Sequence, residues 1–467
     1  MSALIPILVL FVTTLVPPAP APDTTWPQFR GPSGRAVSTV STLPTKWSTT
    51  INVAWAAEIP GRAWSSPIVW GDQVFVTTAI SAGVFKQPSP GIYGNDYVAE
   101  LQRQGLSEEQ IMEKLRLRDL ESPAESGDVQ FMVYSLDVAT GKIRWQQQAH
   151  KGPPVGGRHR KNTYASETPS TDGERVYAMF GNIGVFCYAI DGKPLWTYKI
   201  DPQPRYLDFG TAASPIVHEG RVYIQDDNEA SSYLAALDAK TGALVWKSAR
   251  TLGAGRPLSG WSTPYVWVNA KRTELVTLGR QYVVSYDLDG KELWRMKGVT
   301  QANPTPTEGE GMLYVGTGSQ GEANRPLYAI KPGASGDITL KEAQTSNEFI
   351  AWFQPRAAAY TSSPLVFGGR VYVVNDTGIL QVFEAKTGRE IYKARVGGPG
   401  NTFSASPLAA GGKIYFVSEE GDTFVINPGD TYDEISKNSL GELAFASPAV
   451  TRDGLFLRTQ TRLYRIK

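Results

Sequence analysis

The densest run of groups able to bind charge or hydroxyls is Arg158-His159-Arg160-Lys161-Asn162, followed closely by Tyr164. A loop held by a rigid scaffold is a common carrier of function. Arg205, Asp208, Trp261, Asn303, Gln354 and Arg356 sit at comparable points of the chain. Together these residues predict a site for an anionic or hydroxylated ligand. The best oxygen cluster for a cation is Asp226-Asp227-Asn228-Glu229, but calcium takes about six to eight oxygens and these residue types also end strands at turns. We read it as a turn and assign no metal ligand. Three histidines and the single Cys187 leave no inventory for a zinc cluster or an internal disulfide. His150 and His218 stand beside turn residues. Gly253-Ala254-Gly255 and Gly397-Gly398-Pro399-Gly400 open no helix, so neither is a phosphate loop. No nucleophile can be chosen among the many Ser and Thr without a base assigned to it, and no catalytic residue is assigned.

Charge narrows the partners. With 46 Lys+Arg against 45 Asp+Glu the net charge is +1, which excludes electrostatic binding to nucleic acid. At 41% hydrophobic residues the chain is not disordered. Its 46 Gly and 32 Pro indicate many turns.

The elements that must position these residues follow from a repeat. A small hydroxyl residue before proline recurs at Ser66-Pro67, Thr168-Pro169, Ser214-Pro215, Thr263-Pro264, Thr305-Pro306, Ser363-Pro364, Ser406-Pro407 and Ser447-Pro448. The first step is 102 residues and the others are 41 to 58, the length of one four-stranded antiparallel sheet. Residues 213–247 show the unit in full, as four short strands separated by Gly, Asp or Asn turns. The sequence therefore predicts an all-β chain, an eight-bladed β-propeller. Proline is tolerated at the start of each innermost strand, which needs no ladder donor toward the channel. Every blade-opening loop then emerges on one face, where the polar residues above converge.

A second signature closes the blades. Asp137 with Thr140-Gly141 leads to Trp145, Asp238 with Thr241-Gly242 to Trp246, and Thr387-Gly388 to Tyr392; shorter forms lead from Gly192 to Trp196 and from Gly290 to Trp294. Glycine supplies the positive φ of a tight hairpin. The aromatic ring then lies on the outermost strand and covers the gap to the next blade. Trp55 stands in the same position of an unpaired segment, 52–59. Only three strands fit after Ser447, so this segment is expected to complete the eighth blade.

Residues 236–246 match the pattern A-x-D-x-x-T-G-x-x-x-W at every fixed position. The chain resembles the tryptophan-docking repeat of pyrroloquinoline quinone (PQQ) enzymes and their non-enzymatic relatives, over nearly all of its length from Trp26. The fifth and seventh blades lack the turn signature. Trp26-Pro27-Gln28-Phe29-Arg30-Gly31-Pro32, the stretch from His159 to Pro169 and the ending from Arg458 to Ile466 look like secreted bacterial PQQ-binding-like propellers. The resemblance implies two functional classes. One is a quinoprotein dehydrogenase, with PQQ in the channel, calcium between cofactor and carboxylates, and an Asp as base. Alcohol-oxidising members often cap the quinone with a disulfide of adjacent cysteines, which Cys187 alone cannot form. The other is a non-catalytic binding or scaffold module, similar to the propeller subunit of the machinery that inserts outer-membrane barrels. A saccharide-active enzyme using the channel mouth is a third possibility. The binding module is preferred. No cofactor is expected, PQQ with calcium belongs only to the dehydrogenase alternative, and the partner is an unknown protein or a polar small-molecule or glycan ligand.

Residues 3–16 are apolar and too short to span a bilayer; with the Pro/Ala-rich stretch after them, 1–22 is expected to be a secretory signal. A periplasmic or secreted monomer spanning 26–467, with no membrane span after signal removal, follows as the expectation. The long first step contains an insertion at 85–130, predicted as two short helices joined at Gly105, the second starting at Ser107, placed over one mouth of the channel.

Overall fold

The computed structural model describes residues 22–81, 83, 100–120, 127–253, 255, 258–300, 302–318 and 324–467. Nearly all of 1–22, and 85–99 and 121–126 of the insertion, lie outside the described residues.

Eight antiparallel sheets form the propeller. Their innermost strands are Ile68–Trp70, Ser170–Thr171, Ile216–His218, Tyr265–Val268, Thr307–Gly309, Leu365–Phe367, Leu408–Ala410 and Ala449–Thr451, and the blades are numbered 1 to 8 in that order. Central strands such as Arg221–Asp226 are buried almost throughout, because both faces of a blade pack on neighbours, whereas outer strands such as Leu244–Ala249 alternate. Val53–Glu58 pairs antiparallel with the last strand, Arg462–Ile466, and supplies the outer strand of blade 8. A segment from the N-terminal part of the chain and the C-terminal strand are thus held in one sheet.

Blades are pegged together at the rim. Trp55, Trp145, Trp196, Trp246 and Trp352 donate from Nε1 to Val138, Ile190, Ala239, Leu288 and Ala385 of the following blade at 2.8–3.1 Å. Each indole lies flat on that blade's turn glycine. A Cβ on Gly141, Gly192, Gly242, Gly290 or Gly388 would fall 2.5–2.7 Å from ring carbons. The glycine is therefore demanded twice, by its positive φ and by the ring above it.

Two of the expected pegs work differently. Trp294 is fully buried and donates to Glu274 of its own blade at 2.7 Å, since blade 5 has no Thr-Gly turn to receive it. A short strand, Gly336–Asp337, pairs beside it in parallel instead. Tyr392 holds the docking register opposite Val382, but its hydroxyl has no hydrogen-bond partner among the described residues. Trp352, in a blade without its own turn signature, is a peg that the pattern missed.

The segment after residue 22 enters the channel from the side opposite the blade-opening loops. The carbonyls of Asp23 and Thr24 accept from Arg452 and Gly71 in turns of blades 8 and 1, and Thr25–Trp26 pairs with the inner strand of blade 1. Pro27 accepts from Thr171 of blade 2. Arg30, only 1% exposed, donates Nη2 to Pro364 of blade 6 at 2.5 Å, and desolvation lowers its pKa to about 10. The chain then leaves along Ala409 and Gly411 of blade 7. Farther on, the Trp47 amide donates to Asn438 of blade 7 at 2.8 Å, and its buried ring stacks on Tyr415. Trp47 thus fills the gap of the one blade whose outer strand has Ser436, not an aromatic, at the docking register.

Over the other mouth lies the helix Glu108–Leu120. Ser107 and Gln110 cap it reciprocally, amide to side chain, at 3.0 and 3.3 Å. Leu101 and Ile111 are buried beneath.

Replacing Gly388 should separate the two demands on a turn glycine. Gly388→Ala is expected to lose about 2–4 kcal/mol in denaturant unfolding, combining left-handed strain with overpacking. Gly369→Ala, with φ +74 and nothing within 4 Å, should lose only about 1 kcal/mol. Equal losses would remove the ring contact as a cause.

Candidate functional site

The hydroxyl residue before each blade-opening proline has a specific task. The amides of Ser66, Thr168 and Ser214 donate to the hydroxyls of Thr168, Ser214 and Thr263, at 2.9–3.0 Å. Those of Thr305, Ser363 and Ser406 donate to Ser363, Ser406 and Ser447, at 2.8–3.1 Å. Two arcs of four blades result, each a chain of amide-to-hydroxyl links around the axis. Proline at the next position contributes no competing donor.

All eight of these residues line a cavity of about 950 Å³, at the upper end of the range for small-molecule sites. Phe29, from the segment crossing the channel, lines it too, so that segment lies across its base. Aromatic walls rise from the blade-opening loops: Trp64, Tyr206, Phe209, Trp261, Tyr360 and Phe445. Their orientation is fixed by polar tethers and mutual packing. Trp64 donates Nε1 to the Lys161 carbonyl at 2.8 Å and lies 4.5 Å from the Phe445 ring; Trp261 donates to Gly210 at 2.9 Å. Glu109 and Glu113, four apart on the insertion helix, line the mouth.

Of the residues singled out in the sequence, His159, Lys161, Asn162, Trp261 and Asn303 line this cavity. Lys161 reaches across it, with Nζ 2.9 and 2.8 Å from the two oxygens of Glu419 in blade 7. Glu419, 1% exposed, also accepts from Thr402 at 3.0 Å and from Ser404. This residue escaped the sequence because its partner is 258 positions away. Asn162 braces the loop, donating to Phe209 and Thr211.

The other candidates are not among the lining residues. Arg158 is buried, donates to the Asn162 carbonyl at 3.2 Å and lies over Tyr164, whose hydroxyl reaches Gly156. Arg205 pairs with Asp226 at 2.5 Å and caps the Asp227 carbonyl. Asp208 accepts from the Gly157 amide. Gln354 donates to the carbonyl of docking Gly388 at 2.7 Å, and Arg356 is exposed beside a backbone bridge to Arg325. The cationic stretch is thus largely structural. The acidic run is also structural: Asp227 pairs with buried Arg250 at 2.7 Å, and Glu229 accepts from Leu258 and Ser259. Asp227 has a raised pKa from burial, opposed by Arg250.

Burial first, then Arg160, Lys161 and Arg158, push the His159 pKa down to about 3. Its Nδ1 accepts from the Lys161 amide at 3.2 Å, as a neutral ring does. A base with a lowered folded pKa contributes stability that is complete above its ordinary value near 6.5 and is lost as pH falls toward 3. Between pH 7.5 and 5 this should cost about 1–2 kcal/mol. His159→Asn keeps an acceptor and should flatten that part of the Tm-against-pH curve; an unaltered slope would place the titration elsewhere.

Comparison with known proteins agrees with this architecture. A polyvinylalcohol dehydrogenase from Pseudomonas sp. is 26% identical over 204 residues, which is 35% of this chain and 30% of that protein. A quinohemoprotein alcohol dehydrogenase from Pseudomonas putida is 33% identical over 139 residues, 27% of this chain and 18% of that one. The chain therefore spans under a third of the length of these curated relatives. Among solved structures, a europium-containing methanol dehydrogenase superposes with a TM-score of 0.60 at 11% identity, covering 94% of this chain and 90% of that one; this likeness shows the fold. Overlapping matches at 34–231, 129–278, 230–330 and 279–439 fit the family model described as outer membrane protein assembly factor BamB. With its blades, turn glycines and pegs in place, the chain belongs to that family of PQQ-repeat β-propellers.

Proposed function

We propose that this protein is an extracytoplasmic, non-catalytic binding propeller whose axial cavity takes a polar small molecule or the end of a glycan. The observation that carries this is the prebuilt cavity: tethered aromatic walls above a floor of hydroxyls, with a segment of the chain across its base. Rigid walls of this kind lower the ordering cost of binding. The location is inferred from the family's outer-membrane description; no helix among the described residues is long and apolar enough to cross a membrane.

The PQQ dehydrogenase alternative meets an unfavourable donor set. PQQ carries three carboxylates, yet the cavity's lysine already holds Glu419 with both oxygens in reach. The carboxylates nearest in type to a calcium site, Asp226 and Asp227, are bound to Arg205 and Arg250. Among the described residues no group of three or more His, Cys, Asp or Glu is arranged to hold a metal ion. These residues do not fit the cofactor, and no step is derived through it.

Two measurements test the proposal. Addition of PQQ with calcium chloride should give neither a thermal shift nor dye-linked alcohol oxidation; turnover would replace the binding role by a dehydrogenase. A thermal-shift screen of small polar metabolites and soluble glycans should yield a binder whose effect is lost in Trp261→Ala. A screen with no binder would overturn the cavity as a small-molecule site.

A further inference from the structure

The two arcs of amide-to-hydroxyl links leave two gaps, between Thr263 and Thr305 and between Ser447 and Ser66. At these gaps the hydroxyls of Ser66 and Thr305 accept no neighbouring amide and hydrogen-bond to no protein atom among the described residues. Both residues are nearly buried, 2% and 5% exposed, and both line the cavity. One opens blade 1 and the other blade 5, so they face each other across the axis of an eight-bladed ring. Buried hydroxyls normally have partners, and here the cavity is where a partner would lie. The six hydroxyls that accept an amide donate to no protein group among the described residues either, which leaves their protons for the same space.

Charge sets the class of that partner. The described lining holds one lysine against the carboxylates of Glu109, Glu113, Asp376 and Glu419, and His159 is neutral. Lys161 is committed to Glu419. The internal segments outside the described residues carry Lys86 and Arg256 against Asp96, Glu121, Glu125 and Glu322, so they bring no cationic excess. Glu109 and Glu113 at the mouth oppose an entering anion, and floor hydroxyls that can each give a proton and offer lone pairs suit a ligand that does the same.

We propose that the cavity takes an uncharged carbohydrate ring, seated on the hydroxyl floor with Ser66 and Thr305 as the two hydroxyls reserved for it. A sugar offers oxygens to the floor donors, hydroxyl protons to carboxylates such as Asp376, and apolar C–H faces to Trp64 and Trp261. This ligand class rests on the binding role proposed above.

The test is calorimetric titration with neutral disaccharides (cellobiose, maltose and N,N′-diacetylchitobiose) and, as the charged counterpart, digalacturonate. At least one neutral sugar should bind at least tenfold more tightly than digalacturonate. Ser66→Ala and Thr305→Val should each weaken it about 3- to 10-fold with Tm unaltered, because neither hydroxyl bonds to the protein. Ser406→Ala, which removes an amide's acceptor, should lower Tm and marks what a structural role looks like. Equal binding of digalacturonate overturns the charge argument, and undiminished affinity in both floor variants overturns their role. Binding of another metabolite but of no sugar would overturn the carbohydrate class alone. Absence of any small-molecule binder would overturn the binding role as well.

Discussion

The rest of the molecule depends on an amide near the axis donating to the hydroxyl of the next blade. A propeller must close, and its innermost strands are short; Ser170–Thr171 has two residues. Such strands cannot hold neighbours together by apolar area alone. A backbone donor and a short side-chain acceptor, repeated from blade to blade, fix both spacing and register where the strands are shortest. At the wide rim the same problem is met by area: Trp55, Trp145, Trp196, Trp246 and Trp352 each cover the next turn and donate one hydrogen bond to it. Between rim and axis, the central strands are buried on both faces and supply the bulk of the hydrophobic contact.

The N-terminal segment does two jobs that the repeat leaves undone. It crosses the channel base, reaching blades 1, 2, 6, 7 and 8, and so turns a channel into a cavity with a base. It then supplies Trp47 where the blade-7 outer strand has no docking aromatic, and Val53–Glu58 where blade 8 lacks an outer strand. The cost is local strain and a buried cation. Arg30, Ser33 and Ala36 all adopt positive φ, a conformation that only the surrounding contacts can hold.

How far the site was legible follows from the range of each interaction. The Ser/Thr-Pro openings and the Asp-x-x-Thr-Gly turns are local, so eight blades and most pegs could be counted from the chain. Trp294 was misjudged because its outcome depends on the following blade, whose turn signature is missing. The stretch from Arg158 to Tyr164 was correctly seen as a concentration of cations, but Arg158 and Arg205 are consumed by nearby backbone and carboxylates. Glu419 carried no local signal, since the lysine that marks it as part of the site is 258 positions away.

Sequence by itself determined the repeat, the number of blades and the residue types at axis and rim, because each is dictated by hydrogen bonds and turns spanning a few positions. Tertiary structure alone decided which polar groups face the cavity. Burial and pairing depend on residues brought together from distant blades, and the balance of one lysine against several carboxylates arises only when the ring closes around its axis.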